Sequence, residues 1–385
     1  MSDSAWRTAF SNYARFASAP ARLCAGDKPD LLQIRLVRFI LQSAARELLP
    51  LERVAKCLRV RVPNRIIPEG TSWHVTSGGA GRVHVFYSPK RERAFYGNLA
   101  QCASVWQDPI CASKITERRR VEMAEALGSC KYYQLMVTRT FQHARLDKLK
   151  DLRHDFAEAK RRVKSGRAWI ALENRFKVVG SIAGTEATYG IDNGFHLHDH
   201  SLYLFEERIE PGEFREAMLK RYQAAMATMG RYVSGIYGLD VRATNNSVGD
   251  YVSKWGVEAE LAKYPVKHAK DGHYSAFQLL ELYAEGEGWA GGIFQEYAQA
   301  MKGSKQLVWS KGLRELLRLG REATDQEIVE AQEDDARILA LLTLDQWRRV
   351  LALEQRGELL EVASVGREDV LAGYLKTLGV YLTDD

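Results

Sequence analysis

The sequence has few cysteines and prolines and no long apolar run. Its 385 residues include 5 cysteines and 9 prolines. An odd and sparse set of cysteines is more typical of reduced thiols than of a disulfide framework. No segment approaches the roughly 18 to 20 uninterrupted apolar residues of a membrane span, and residues 1–10 lack the basic-then-apolar order of a signal peptide. We therefore expect a cytoplasmic protein without a membrane partner.

Charge is unevenly distributed along a chain of otherwise ordinary globular composition. Apolar residues make up 46% of the sequence and charged residues 27%, with a net charge of +6. Residues 322–385 contain 6 basic and 15 acidic side chains, so residues 1–321 carry a net charge of +15. A net positive charge this large favours a polyanionic partner, of which nucleic acid is the commonest. The alternative is a basic surface that is simply solvated.

The periodicity of apolar residues predicts an α+β fold in which helices pack on a largely antiparallel sheet. Strands are predicted at residues 133–137, 168–179, 181–189, 195–205 and 239–243, with the turn signal Asp192-Asn193-Gly194 before the fourth strand. Amphipathic helices are predicted at residues 31–51, 146–163 and 213–229, and a short helix carries Tyr251. We expect an N-terminal region at 1–130, a central domain at 131–320 and an acidic helical tail at 321–385.

Three histidines at a spacing of two form the strongest local motif. His196, His198 and His200 lie within the predicted strand Gly194–Phe205, so their imidazoles project from one face of the sheet. Three imidazoles on one face favour a divalent metal site over three separately satisfied core histidines. Glu186, Asp192 and Asp199 are the nearby carboxylates. A carboxylate ligand, for which Glu186 is the first candidate, favours Mg²⁺ or Mn²⁺.

A second motif is Tyr251-Val252-Ser253-Lys254 at the predicted helix start. Residues three apart share a helix face, so the Lys254 ammonium can lie beside the Tyr251 phenol. A phenol with an ordinary pKa near 10 is a poor nucleophile, and a neighbouring cation improves it. Taken alone, this pair is more often a packed phenol beside a solvated amine.

Together these motifs resemble the plasmid rolling-circle replication initiators of the HUH endonuclease class. The metal strand of that family matches Gly194–Phe205, with His198 and His200 as the two-histidine core and His196 leading. Its Glu and Thr-Tyr-Gly segment matches Glu186–Gly190, and its tyrosine motif matches Tyr251 to Lys254. Further segments extend the resemblance from about residue 94 to residue 317, including the Thr-rich strand 135–143 and the closing run 309–313.

The resemblance implies a core similar to an RNA-recognition-motif fold and a metal-assisted tyrosine endonuclease. Tyr251 would attack a phosphate of single-stranded or cruciform plasmid origin DNA, leaving a 5′-phosphotyrosine and a 3′-OH primer. The metal would be Mg²⁺ or Mn²⁺, held by His198, His200 and Glu186 with His196 close by, and the chemistry needs no ATP. Further expected partners are a host helicase, a polymerase and a second copy of the chain. We expect the acidic tail to be dispensable for nicking.

Two departures from the family pattern concern the cysteines and the group that ends the reaction. Many family members have a cysteine-rich segment, whereas this chain has Cys102 and Cys111 with Asp108 where another thiolate would be. Two thiolates and one carboxylate fall short of a structural zinc site. In some relatives the group that ends the reaction is a Glu four residues before the tyrosine, and Ser247 occupies that position here.

Two other functions compete with this interpretation. A non-catalytic DNA-binding regulator on the same fold is the first, although the intact histidines and Tyr251 argue against it. A cupin-like metal enzyme is the second, because Gly190 precedes His196-Leu197-His198 at cupin spacing. The cupin motif needs a Glu about four residues after the second His, where this chain has Leu202 and Tyr203.

Overall fold

The computed structural model describes residues 31–62, 81–128, 130–244, 272–331 and 335–382. These residues form an α+β structure in which helices pack on antiparallel sheets, which confirms the predicted fold class. The strands are β1 (Val83–Ser88), β2 (Arg93–Gly97), β3 (Tyr133–Thr140), β4 (Val178–Gly190), β5 (Gly194–Phe205), β6 (Leu239–Ala243), β7 (His273–Tyr274), β8 (Leu307–Trp309) and β9 (Arg337–Leu342).

The helices of the described residues range from one turn to about five turns. They are α1 (Leu31–Leu48), α2 (Pro109–Gly128), α3 (Leu149–Val163), α4 (Arg167–Phe176), α5 (Pro211–Ala227), α6 (Ala276–Glu285), α7 (Gly288–Met301), α8 (Leu313–Leu316), α9 (Asp325–Glu330), α10 (Leu344–Ala352), α11 (Arg356–Ala363) and α12 (Glu368–Thr377). None of them has the length and apolarity required to cross a membrane.

The larger sheet has the strand order β6-β3-β5-β4-β7, and β8 also pairs with β4. All of its pairings are antiparallel. The long hairpin of β4 and β5, joined by residues 191–193, lies at its centre, as the turn signal predicts. Its register places Glu186 opposite His198, while β3 on the other side places Thr138 opposite His200. These three central strands carry the candidate site.

Helices α3 and α5 cover one face of this sheet. Phe156 of α3 contacts the ring of Tyr222 of α5, and Phe214 of α5 packs edge-on against Tyr203 and Phe205 of β5. All of these rings are buried. Burial of large aromatic side chains on one face of alternating strands fixes that face as the interior.

Among the residues that the structure describes, apolar side chains cover the opposite face of the sheet at one end only. Leu202 and Leu204 of β5 pack with Met123 and Leu127 of α2 and with Leu313 in a second buried cluster. Towards the other end of β5, His196, His198 and His200 occupy the same face and are only half-buried. The histidines therefore lie where the apolar cover stops, within reach of a ligand.

One segment of the predicted secondary structure is wrong. Residues 168–179 were expected to be a strand, but α4 spans Arg167–Phe176, and a single long strand, β4, replaces the second predicted strand. Trp169, Leu172 and Phe176 are buried at helical spacing on one side of α4. The predicted short helix carrying Tyr251 falls outside the described residues.

The C-terminal segment, predicted as an acidic helical tail, contains a strand as well as helices. Strand β9 pairs with β1 to form a three-stranded sheet of order β2-β1-β9. Trp347 of α10 is buried against the ring of Tyr96, and its indole donates to the backbone carbonyl of Arg59 at 2.7 Å. The segment after residue 320 thus shares a core with the N-terminal region, while the limits of the central domain, 131–320, stay a prediction.

Candidate metal centre

Glu186, His198 and His200 converge on the uncovered end of the sheet. Oε2 of Glu186 lies 3.2 Å from Nε2 of His198 and 3.8 Å from Nε2 of His200. One ligand atom from each of the three residues lies within 4.8 Å of the other two. Two imidazole nitrogens and one carboxylate oxygen are a donor set that binds divalent metals. The structure therefore brings together three of the four residues predicted to hold a metal, and metal binding itself stays a prediction.

The register of three strands produces this convergence. Glu186 is directly opposite His198 and diagonal to His200 across the β4–β5 pair. Direct and diagonal cross-strand neighbours on one face are close enough for long side chains to meet. The opposed residues on β3 add Thr138, whose hydroxyl lies 2.9 Å from Nδ1 of His200. That contact leaves Nε2 of His200 directed at Glu186, which is the orienting arrangement found around metal-bound histidines.

The neighbouring imidazoles control the protonation of Glu186. Burial alone would raise the pKa of its carboxyl group, but a hydrogen bond from His198 and the charges of His198 and His200 outweigh burial and lower that pKa. The carboxylate is thus favoured in the ionised form that a metal ligand requires.

His196, the fourth predicted ligand, lies outside the trio. Its Nδ1 is 3.2 Å from Nε2 of His143, and its ring lies 6.3 Å from that of His273. Burial, together with the charges of the surrounding histidines, lowers the pKa of His196 to about 4. His196 is therefore neutral at pH 7 and shares a hydrogen bond with His143 instead of converging on Glu186.

The two aspartates that the sequence offered as nearby carboxylates do not join the trio. Asp199 points to the helix-covered face, where its carboxylate makes a two-pronged ion pair with the buried guanidinium of Arg139 at 2.9 and 2.8 Å. Lys160 of α3 is 3.8 Å away. Asp192 is exposed in the β4–β5 turn. Strand alternation explains the orientation of Asp199, which lies between two histidines and must therefore face away from them.

A cavity of about 730 Å³ adjoins the histidines. Thr140, His143, His196 and His273 form one side of it, and Tyr232 and Tyr237 form another. Both tyrosines are mostly exposed, Tyr232 at 64% and Tyr237 at 79%. The cavity therefore combines polar ring nitrogens with two accessible aromatic faces.

The predicted basic surface around α3 is smaller than its sequence suggests. Residues 139–177 contain 12 basic and 5 acidic side chains. Arg139 is buried in its pair with Asp199, while Arg161 and Arg162 bind Glu158 on the same helix. Arg145 and Lys150 are exposed. Part of the positive charge of this region is thus neutralised by ion pairs within the protein.

Tyr251 and Lys254, the predicted catalytic residues, lie outside the described residues, as does Ser247. The sequence missed Thr138 and His143 as partners of the histidine strand. Their only signal was the Thr-rich run before His143, because cross-strand contacts depend on register.

Comparison with known proteins gives one informative similarity. No protein-family model matches the chain, and no solved structure matches it. A protein of Streptomyces lividans named "Protein rep" is 25% identical over an alignment of 341 positions, which covers 66% of this chain and 74% of that protein. This relative supports the resemblance of the chain to replication initiator proteins.

Proposed function

We propose that this protein is a plasmid replication initiator that nicks and rejoins single-stranded origin DNA by metal-assisted attack of a tyrosine. The observation that carries the proposal is the convergence of Glu186, His198 and His200 on the open end of an antiparallel sheet. The similarity to a protein named "Protein rep" supports the replication role. Together they favour a nuclease over the cupin-like alternative, for which no Glu follows at the required spacing.

The trio would hold Mg²⁺ or Mn²⁺ through Glu186 Oε2 and the Nε2 atoms of both histidines. A bound divalent metal would polarise the scissile phosphate as a Lewis acid. The contact of Thr138 with Nδ1 would orient the His200 ring so that Nε2 faces the metal. His196 and His143, which stay neutral, border the cavity beside the trio and offer hydrogen bonds to the DNA.

Tyr251 would be the nucleophile. Its phenolic oxygen forms a bond to phosphorus, and the bond from phosphorus to the 3′-oxygen breaks. The phenol loses one proton and the leaving 3′-oxygen gains one, so the step releases no net proton. Lys254 would assist by favouring the phenolate. One phosphodiester replaces another, and the reverse attack by a 3′-OH rejoins the strand.

The cavity supports a single-stranded substrate. Exposed Tyr232 and Tyr237 provide ring faces on which unpaired bases stack, an interaction worth about 1–3 kcal/mol per base. The exposed cation Arg145 lies on the loop between β3 and α3, directly beside Gly194 at the start of the histidine strand. A base stack beside the trio would hold one phosphate near the metal ligands.

Incubation with single-stranded DNA tests the proposal. Oligonucleotides that tile the replicon carrying the gene are incubated with the full chain and Mn²⁺, and products are separated on a denaturing gel. We expect a cleaved 3′-OH fragment and a covalent protein–DNA adduct in the wild type. Tyr251→Phe should form no adduct and bind DNA with nearly unchanged affinity, because only the attacking oxygen is removed.

His198→Ala should also abolish cleavage, and EDTA should inactivate the wild type until Mn²⁺ or Mg²⁺ is restored. His196→Ala should have a milder effect because His196 lies outside the trio. DNA binding without cleavage by the wild type would favour the non-catalytic regulator. Cleavage that survives in Tyr251→Phe would assign the nucleophile elsewhere, with Tyr264 and Tyr274 as the next residues to replace.

A further inference from the structure

We propose that Cys57, Cys102, Asp108 and Cys111 bind a structural zinc ion that is separate from the histidine site. Their ligand atoms lie within 4.8 Å of one another, and all four residues are buried. The sequence offered only Cys102, Asp108 and Cys111, which are too few thiolates for a typical zinc site. The fold supplies the third thiolate from Cys57, 45 residues before Cys102.

The distances between the sulfur atoms match a tetrahedral zinc site. Sγ of Cys111 lies 3.6 Å from Sγ of Cys57 and 3.6 Å from Sγ of Cys102. Two thiolates bound to one zinc at about 2.3 Å with tetrahedral angles are about 3.8 Å apart. A disulfide would need about 2.05 Å, and these cysteines are unpaired. Oδ2 of Asp108 lies 3.1 Å from Sγ of Cys102 and completes the set as the fourth donor.

Hydrogen bonds from neighbouring groups orient the four residues, as such bonds orient metal ligands. The backbone N–H of Cys102 donates to Sγ of Cys57 at 3.3 Å. The side chain of Gln42 on α1 donates to Oδ2 of Asp108 at 2.9 Å. Oδ1 of Asp108 accepts from the N–H groups of Ile110 and Cys111 at the start of α2. Such hydrogen bonds fix ligand geometry and stabilise the negative charge on thiolates and carboxylates.

The position of the cluster indicates a structural role. Cys57 follows the short 3-10 turn at Arg53–Lys56, Cys102 lies on an irregular segment, and Cys111 lies in the first turn of α2. The segment 102–108 has no regular secondary structure, although Cys102, Trp106 and Asp108 on it are buried. Four protein ligands close the coordination sphere, as in structural sites, and leave no position for substrate. On binding, three S–H groups lose their protons to solvent as three sulfur–zinc bonds form.

Metal analysis of the full-length protein tests the proposal directly. The chain is purified in the presence of a reductant, passed through a desalting column and analysed by inductively coupled plasma mass spectrometry. We expect one zinc per chain in the wild type and in His198→Ala, because the histidine site is not involved. Cys57→Ser and Cys111→Ser should lose zinc, whereas Cys130→Ser, which removes a cysteine outside the cluster, should retain it.

Cobalt substitution provides a readout that does not depend on the variants folding. The wild type refolded with Co²⁺ should show intense thiolate-to-cobalt charge-transfer absorption, and Cys130→Ser should show the same spectrum. A wild-type chain with neither bound zinc nor this absorption would overturn the proposal. So would full zinc retention in Cys57→Ser, or a native disulfide joining two of the three cysteines, as detected by mass spectrometry without reduction.

Discussion

Thr138 is the residue beside the candidate metal centre whose contribution can be isolated most cleanly. Its hydroxyl meets Nδ1 of His200 at 2.9 Å. Thr138→Val keeps the shape of the side chain and removes that hydrogen bond. Because loss of an orienting partner lowers metal affinity about 10- to 100-fold, the Mn²⁺ concentration for half-maximal cleavage should rise by this factor. Titration of cleavage against Mn²⁺ measures it.

Thr140→Val is the matched control, because Thr140 lies on the same strand and its hydroxyl is 3.4 Å from Nε2 of His196, outside the trio. It should change the Mn²⁺ dependence little. Equal effects of the two variants would mean that His196 contributes to metal binding as much as His200 does.

Asp199 and Arg139 form a buried ion pair under the histidine strand, with 0% and 1% of their side chains exposed. Asp199→Asn leaves the guanidinium buried without a counter-ion, which should lower the free energy of unfolding by about 3–5 kcal/mol. Urea denaturation of the two proteins measures the difference. Glu158→Gln breaks only solvent-exposed ion pairs on α3 and should change the free energy of unfolding little. Equal costs for both variants would contradict a special role for the buried pair.

The same pair predicts the pH dependence of stability. Burial alone would raise the pKa of Asp199, but the charge of Arg139 outweighs burial and lowers that pKa in the folded protein. Since the ordinary aspartate pKa is near 3.9, the pair contributes its full stability above about pH 4 and loses it as the pH falls through the folded pKa. Acid unfolding followed by circular dichroism should be less steep in Asp199→Asn. An unchanged acid transition would show that other carboxylates dominate it.

At the residue scale, alternation along one strand was predictable and contact between strands was not. The spacing of His196, His198 and His200 correctly indicated a shared face. Which of them meets Glu186 depends on the β4–β5 register, which sequence periodicity does not determine. Asp199 was taken as a nearby carboxylate, although alternation along the strand already places it, between two histidines, on the opposite face.

At the scale of elements, Gly194 determines how the histidine strand begins. It has φ of +76°, and a Cβ added there would lie 2.4 Å from the carbonyl oxygen of Arg145. Gly194→Ala should therefore combine about 1–2 kcal/mol of left-handed strain with displacement of the loop between β3 and α3. The melting temperature should fall, and the Mn²⁺ requirement for cleavage should increase.

Gly230→Ala separates the effect of backbone strain from the effect of steric overlap with Arg145. Gly230 has φ of +70° and no atom within 4 Å of an added Cβ, so this variant carries the backbone strain alone. It should lose less stability than Gly194→Ala and cleave DNA with an unchanged Mn²⁺ requirement. Identical melting temperatures for the two variants would show that the contact with Arg145 is unimportant.

The error over residues 168–179 shows where element prediction fails. This run is apolar enough to read as a strand, yet its buried residues Trp169, Leu172 and Phe176 follow helical spacing. Short apolar runs fit both periods, and only tertiary packing separates them. The hairpin of β4 and β5 was predictable because its turn and its alternation agree.

At the scale of the whole molecule, charge composition does not reveal how the acidic segment packs against the rest of the chain. The acidic segment after residue 321 looked separable from the basic remainder of the chain, but its carboxylates pair with that remainder: Glu354 binds Arg59, Glu361 binds Arg35, and Asp325 binds Arg119. Net charge describes solubility and long-range attraction, whereas folding units are determined by buried contacts. Those contacts join β9 to β1 and α11 to α1, and sequence separation hides them.

Trp347 tests whether the C-terminal segment is part of the folded unit. It is 2% exposed, and its removal would leave a cavity beside Tyr96. Trp347→Ala should lower the free energy of unfolding by about 3–5 kcal/mol. Tyr381→Ala, which replaces a 65% exposed aromatic residue of the same segment, should have little effect. Urea unfolding followed by far-ultraviolet circular dichroism should show one transition shifted to lower urea in Trp347→Ala. If the urea midpoint of Trp347→Ala equals that of the wild type, the acidic segment is a dispensable appendage. A chain ending at Gly320 would then be expected to fold and to nick DNA.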